Sequence, residues 1–230
     1  MTSPLSLPTA HQRLLGPAFD TLSTGLALVG APPAVGKTCI SLNLAVHYAA
    51  HLGETVLYLS PGTPKEVVLA RLAKNMTPEG DSVDVDIVNR LPLTVLDAPN
   101  PTSAELLEAA TAFVEKHGQP AIVLVNDLQS MRCGREDLAG VPAAIEIMAD
   151  LRAASRVCDA PLVLFSQLAE GKTIARAVAQ QADRVIVASL LGETPTHKAI
   201  QITYVDPPEP EGESYELSLT RATGVIGPKS

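Results

Sequence analysis

A chain of 230 residues, 46% of them hydrophobic, is long enough to bury the core of one ordinary domain and too apolar to stay disordered. Its 17 lysines and arginines against 25 aspartates and glutamates leave a formal charge of −8, and only 3% of residues are aromatic with no tryptophan. That excludes a broad basic grip on nucleic acid or an extensive stacking platform, so any DNA contact must be local. No apolar run reaches the roughly eighteen residues of a membrane span, and the N-terminus lacks a basic region followed by an apolar one, so a cytoplasmic protein is expected. Cys39, Cys133 and Cys158 are odd in number and far apart, which suits reduced thiols.

In chain order, short aliphatic runs alternate with helical patterns, as in βαβ units with a mainly parallel sheet. "LALVG" (26–30) is a predicted strand, and "KTCISLNLAVHYAAHLG" a helix closed by Gly53. "TVLYLS" (55–60) is the next strand and "PKEVVLARLAKNM" the next helix, with Pro64 near its first turn. "LTVLDA" (93–98) is a strand, and Thr102 with Glu105 forms a capping box opening a helix that Gly118 and Pro120 stop. "AIVLVND" (121–127) has the length and composition of a strand buried on both faces. The helix "VPAAIEIMADLRAASRVC" and the strands "PLVLFSQ" (161–167) and "DRVIVASL" (183–190) follow. "KAIQITYV" and "YELSLTRA" then form an antiparallel pair around the acidic, proline-rich "DPPEPEGES". Residues 1–14 are expected to be a short arm, and 15–230 a single nucleotide-binding domain.

The first strand and helix enclose "GAPPAVGKT" (30–38). Counted from Gly30 the phosphate-loop pattern fails by one residue. Counted from Ala31 it closes, with alanine in place of the first glycine. The chemistry falls on the second half, where the backbone amides of Ala34, Val35, Gly36, Lys37, Thr38 and Cys39 can point at phosphate oxygens beside the positive end of a helix dipole. Lys37 brings a mobile cation for the outer phosphates, and the Thr38 hydroxyl can hold Mg²⁺. ATP or ADP is the expected ligand.

"GLALVGAPPAVGKTCISLNLAVHYA" resembles the nucleotide-binding region of the RecA-fold ATPases, specifically the motor domain of DnaB-type replicative helicases, where alanine at the first loop position is usual. "FDTLSTGL", "LPLTVLDAPNPTSAEL", "NDLQSM" and "IEIMADLRAASRVCDAPLVLFSQL" with "QQADRVIVASL" are similar to successive parts of that domain, over roughly residues 15 to 190. The resemblance implies a RecA-like α/β domain, an oligomer or a helicase or replication partner, and single-stranded DNA as a ligand. It also implies losses. Gly62 occupies the place of the family's general base, and Glu66 and Glu54 are poor substitutes for it; restoring glutamate at Gly62 is expected to raise turnover if the water position survives. Asn126, or Asp127 if the strand end turns it inward, matches the aspartate that orients magnesium through water. Gln167 matches the glutamine that senses the terminal phosphate.

The late hairpin that carries a trans-acting arginine and lysine in those helicases offers Asp206, Glu209, Glu211 and Glu213 here, and Lys198 and Arg221 beside it are expected to be surface charges. Arg132, Arg135, Lys172 and Arg176 match the loops that face DNA. Two readings therefore stay open: an ATPase domain of DnaB type in DNA replication or repair with weak or partner-dependent hydrolysis, and a regulatory or assembly protein that binds nucleotide without hydrolysing it. A circadian-clock or recombinase-like relative fits the central motifs less well.

Overall fold

The computed structural model describes residues 25–77, 85–168, 174–205 and 214–228. The proposed 1–14 arm, Lys172 and the four acids of the late hairpin lie outside them. Among the described residues nine strands form one sheet in the order β3-β2-β4-β5-β1-β6-β7-β8-β9, with the ranges that follow. The parallel part comprises β1 (Gly25–Ala31), β2 (Val56–Ser60), β3 (Leu93–Asp97), β4 (Ile122–Asn126), β5 (Pro161–Gln167) and β6 (Arg184–Glu193). β7 (His197–Val205), β8 (Ser214–Thr220) and β9 (Ile226–Pro228) extend it antiparallel. The expected mainly parallel sheet with a C-terminal antiparallel pair is therefore present.

Continuous aliphatic runs become central strands because both of their faces are covered. Ala27 and Val29 of β1, Ile122 and Leu124 of β4, and Val163 and Phe165 of β5 face one core. Into it pack α1 (Lys37–Val46), α2 (Lys65–Met76) and the short α3 (Asp86–Asn89). The alternate residues, among them Leu26, Leu28, Val123, Val125, Leu162 and Leu164, face the second core with α4 (Ser103–His117) and α5 (Gly140–Cys158). The period of two in strand side-chain direction thus divides one apolar sheet between two helical layers.

Helix boundaries follow local chemistry. The Thr102 amide donates to Glu105 Oε2 at 2.7 Å, and the Glu105 amide donates to Thr102 Oγ1 at 3.2 Å, which completes the capping box. The Thr102 hydroxyl lies 3.0 Å from the same Glu105 Oε2, and the amide and hydroxyl of Thr102 together hold the Glu105 carboxyl below its usual pKa. Gly53, at φ 69, ends the first helix as expected, but its last segment, His47–Leu52, widens into π geometry. An apolar pattern read at 3.6 residues per turn does not separate the two. α5 ends at Asp159 in the left-handed region, φ 47, a conformation that aspartate tolerates better than most residues.

The foot of β1 is pinned from two sides. The Gly25 amide donates to Ser155 Oγ of α5 at 3.0 Å, and the Leu26 amide donates to Asp183 Oδ2 at 2.8 Å. Asp183 is paired with Arg152 at 3.0 Å. Gly25 has φ 138, and a Cβ there would lie 2.8 Å from Asp183 Oδ2, so only glycine fits beneath the carboxylate.

Candidate nucleotide site

Because β1, β2, β4 and β5 are parallel, their carboxyl ends share one edge of the sheet, the edge where open α/β sheets bind ligands. β1 delivers the phosphate loop there. Ala31 is still a ladder residue opposite Gln167 and has no positive φ, so alanine replaces the usual glycine without strain. The left-handed turns come later, at Ala34 (φ 64) and Gly36 (φ 118), on either side of buried Val35. Gly36 is the N-cap of α1 with no side-chain cap, and the first helical bond is Ile40 N to Gly36 O at 2.9 Å. The amides of Gly36, Lys37, Thr38 and Cys39 therefore have no intrahelical acceptor and are free to meet an anion.

Lys37 is 9% exposed and its Nζ donates to the Ala31 carbonyl at 3.3 Å. Burial pulls its pKa below the ordinary value, and the Asp127 carboxylate opposes that shift. A buried ammonium beside backbone amides without helical acceptors fits a polyphosphate, which would add its charge to that of Asp127.

At the tip of β4, Asn126 Nδ2 donates to Thr38 Oγ1 at 3.4 Å and to the Tyr58 hydroxyl at 3.2 Å. Ser41 Oγ lies 2.8 Å from the Tyr58 hydroxyl and donates to the Thr38 carbonyl at 2.9 Å. Tyr58, fully buried on β2, has its pKa raised by burial, with the Ser41 and Asn126 hydrogen bonds opposing. Asn126 thus reaches the threonine that would hold Mg²⁺. Asp127 follows it through a cis peptide bond. Its carboxylate accepts from Ser130 N at 3.2 Å and Ser130 Oγ at 2.8 Å, capping the 3-10 turn Leu128–Ser130. The Asp127 carboxylate nevertheless acts on Lys37, so the groups that would hold a divalent ion beside nucleotide oxygens are the Thr38 hydroxyl, Asn126 and, through water, Asp127. That suits a cation bound mostly by phosphate and water, without a carboxylate in contact.

Gln167 ends β5 with an exposed side chain beside Ala31. Its backbone is gripped by Gln129, whose Oε1 accepts from Gln167 N at 2.7 Å and whose Nε2 donates to Gln167 O at 3.1 Å. Gln129 Nε2 also reaches Ser166 Oγ at 3.0 Å. The sequence motifs alone do not single out Tyr58, Ser41 or Gln129. A lone phenol inside the aliphatic run "TVLYLS" was a usable signal, because a buried tyrosine hydroxyl needs a partner. Nothing local marked Gln129.

Gly62 lies just beyond β2 with φ 138, and a Cβ there would stand 2.7 Å from Ser130 Oγ and 2.8 Å from Ser130 Cβ. A Gly62→Glu change, expected to raise turnover if the water position survives, would therefore be strained by the backbone and crowded by Ser130. Lys198 is not the plain surface charge expected, since its Nζ donates to the Ala34 carbonyl in the phosphate loop. Arg221 pairs with Glu193 at 3.4 Å and donates to the Thr194 carbonyl at 3.1 Å. Among the proposed DNA-facing residues, Arg132 Nε is tied to the Asn100 carbonyl at 2.9 Å, and Arg135 is paired with Asp137 at 2.8 Å. Arg176 is exposed at the start of α6 (Arg176–Ala179). All three cysteines are free thiols, and burial pushes the Cys158 thiol up to about 11. Among the described residues no helix is long and apolar enough to cross a membrane, and no cluster of three or more histidine, cysteine, aspartate or glutamate side chains could hold a metal.

The parallel sheet, the loop at the tip of β1 and the helix rising from it define a RecA-like fold. No family model matches the chain. In structure it is similar to a solved ATPase domain, with TM-score 0.76 and 15% identity, over 97% of this chain and 91% of that one. It is also similar to a DnaB-like replicative helicase described with its interactions with primase, with TM-score 0.71 and 15% identity, over 90% of this chain and 57% of that one. In sequence it is 27% identical over 193 residues to the replicative DNA helicase DnaB of Pasteurella multocida, a match that spans 71% of this chain and 41% of that protein. The DnaB of Nostoc sp. is 24% identical over 175 residues, 66% of this chain and 20% of that protein. The chain thus covers less than half the length of either curated relative. Within the RecA-like class, its fold is that of the DnaB-type ATPase domains.

Proposed function

We propose that this protein is an ATP- or ADP-binding RecA-like domain of the DnaB helicase type, acting in the cytoplasm in DNA replication or repair, with weak or partner-dependent hydrolysis. The observation that carries the reading is the buried Lys37 ammonium set inside the loop whose amides, from Gly36 to Cys39, lack helical partners. Thr38, Asn126 and, through water, Asp127 would hold the Mg²⁺ of a bound nucleotide, and that ion supplies charge neutralisation at the phosphates when present. Lys37 binds the outer phosphates, Gln167, at the end of β5 opposite Ala31, senses the terminal phosphate, and Gln129 keeps the Gln167 backbone in place. Single-stranded DNA, a second copy of the chain and a replication protein are the proposed partners. Arg132, Arg135, Lys172 and Arg176 are the candidate DNA contacts.

A second reading, a regulator or assembly protein that binds nucleotide without hydrolysing it, is favoured by Gly62, where a side chain would be strained and crowded by Ser130. The same experiment tests both. Nucleotide affinity and phosphate release are measured for the native chain and Lys37→Ala, with and without single-stranded DNA. Binding lost in Lys37→Ala supports the site, and phosphate release stimulated by DNA supports the motor-domain reading. Tight binding with background release at every DNA concentration moves the function to the regulator, and equal binding by both proteins refutes the site.

A further inference from the structure

The phosphate loop is held at a second point by a residue that the P-loop pattern does not contain. Lys198 lies on β7 in register with Leu219 of β8 and Glu193 of β6. It is two residues from Ile200 and so shares its face of the sheet. That face carries the loop: a Cβ on Gly36 would lie 3.6 Å from Ile200 Cδ1 and from Leu219 Cδ2. From the same face the half-buried Lys198 extends its Nζ to the carbonyl of Ala34.

Ala34 is the residue that most needs holding. It sits at φ 64, a left-handed conformation that an alanine adopts at a cost, and it immediately precedes the amides that would face phosphate. A charged donor on its carbonyl fixes the orientation of the Ala34–Val35 peptide, and charge-assisted bonds of this kind are stronger than neutral ones. The Lys198 charge also reaches the first turn of α1. There burial raises the Cys39 thiol pKa, and Arg71 and Lys198 both oppose the rise. Two cations, Arg71 and Lys198, therefore act on the turn that Lys37 opens, in a chain whose net charge is −8.

We propose that Lys198 is a positioning residue that latches the phosphate loop from within the same chain, setting the Ala34 peptide so that the amides from Val35 to Cys39 are aimed before an anion arrives. This rests on the nucleotide-binding reading above and adds the residue that prepares the loop.

The test is calorimetric titration of ADP, and separately of inorganic pyrophosphate, into the full chain and its Lys198→Ala, Lys198→Arg and Lys37→Ala variants, with thermal melting of each without ligand. Lys198→Ala is expected to weaken ADP and pyrophosphate by the same factor, about tenfold, as the loss of one charge-assisted hydrogen bond implies. Lys198→Arg is expected to bind within about threefold of the native chain, and both variants to melt within about 2 °C of it, since the residue is only half-buried. Wild-type affinity in Lys198→Ala overturns the latch alone, as does an equal loss in Lys198→Arg, or a loss confined to ADP. No ADP binding by the native chain overturns the nucleotide reading and the latch with it.

Discussion

Introducing glutamate at Gly62 tests whether the backbone there can carry a general base. The φ of 138 at Gly62 is glycine territory, and forcing an L residue into it costs about 1–3 kcal/mol. The new Cβ would also stand 2.7 Å from Ser130 Oγ. Ser130 is held by two hydrogen bonds to Asp127, so relieving the overlap costs about another 1–3 kcal/mol. At roughly 2–4 °C per kcal/mol for a chain of this size, Gly62→Glu should lower the melting temperature by about 5–20 °C. Adding Ser130→Gly removes the overlap but not the backbone strain, so the double variant should recover about half of the loss. Turnover in Gly62→Glu should stay at the native level, whereas a correctly placed base would raise it about 10²- to 10⁴-fold. Melting by circular dichroism and phosphate release under single-turnover conditions give both numbers. A single variant that melts within about 1 °C of the native chain, or one that hydrolyses ATP about a hundred times faster, refutes the argument.

Asn126→Asp should make nucleotide affinity more dependent on Mg²⁺ by supplying the missing carboxylate, while lowering metal-free stability by about 1–3 kcal/mol, because Thr38 and Tyr58 lose their common donor. Titrations with and without the metal, alongside melting curves, check both parts. Tyr58→Phe leaves Asn126 and Ser41 without their shared partner inside the core and should cost about 1–3 kcal/mol, read by denaturant unfolding with an unchanged slope. The lowered Lys37 pKa gives two opposite pH trends. Phosphate binding needs the ammonium, so ADP affinity should hold below the lowered pKa and fall above it, beginning below 10.5 and by about one decade per pH unit at most. In the same window the unfolded chain binds more protons than the folded one at this lysine, so its contribution to unliganded stability rises with pH. Calorimetry and melting across alkaline pH should therefore diverge, and Lys37→Ala should remove the divergence.

Strands β1 to β8 were legible as bounded runs of aliphatic or alternating apolar residues, and the capping box and Gly53 marked helix ends through chemistry carried by one or two residues. β9 and the short helices α3 and α6 were not, since three or four residues hold no period to read. The loop could be read from Gly36, Lys37 and Thr38, but the left-handed turn at Ala34 could not, because alanine does not advertise a positive φ. The hydroxyl network of Tyr58, Ser41 and Asn126 joins three elements through contacts of high sequence separation, and the grip of Gln129 on Gln167 spans two more. Lys198 was legible only as a charge. Its contact with Ala34 exists because β7 runs antiparallel and returns its first residues to the edge where β1 ends.

The anchoring of Gly25 and Leu26 by Ser155 and Asp183 limits how this molecule can respond at its loop. A strand bolted at its base cannot slide along β5 or β6 to absorb a push at its tip, so it acts as an anvil and not as a piston. Displacement at Ala34 or Gly36 must then be taken up sideways, by rotation of α1 and by flexing of the antiparallel strands on which the loop rests. Because the loop rests on Ile200, Leu219 and Lys198, a displacement there is expected to reach the β7–β8 flank before the helices α4 and α5 on the far face of β1.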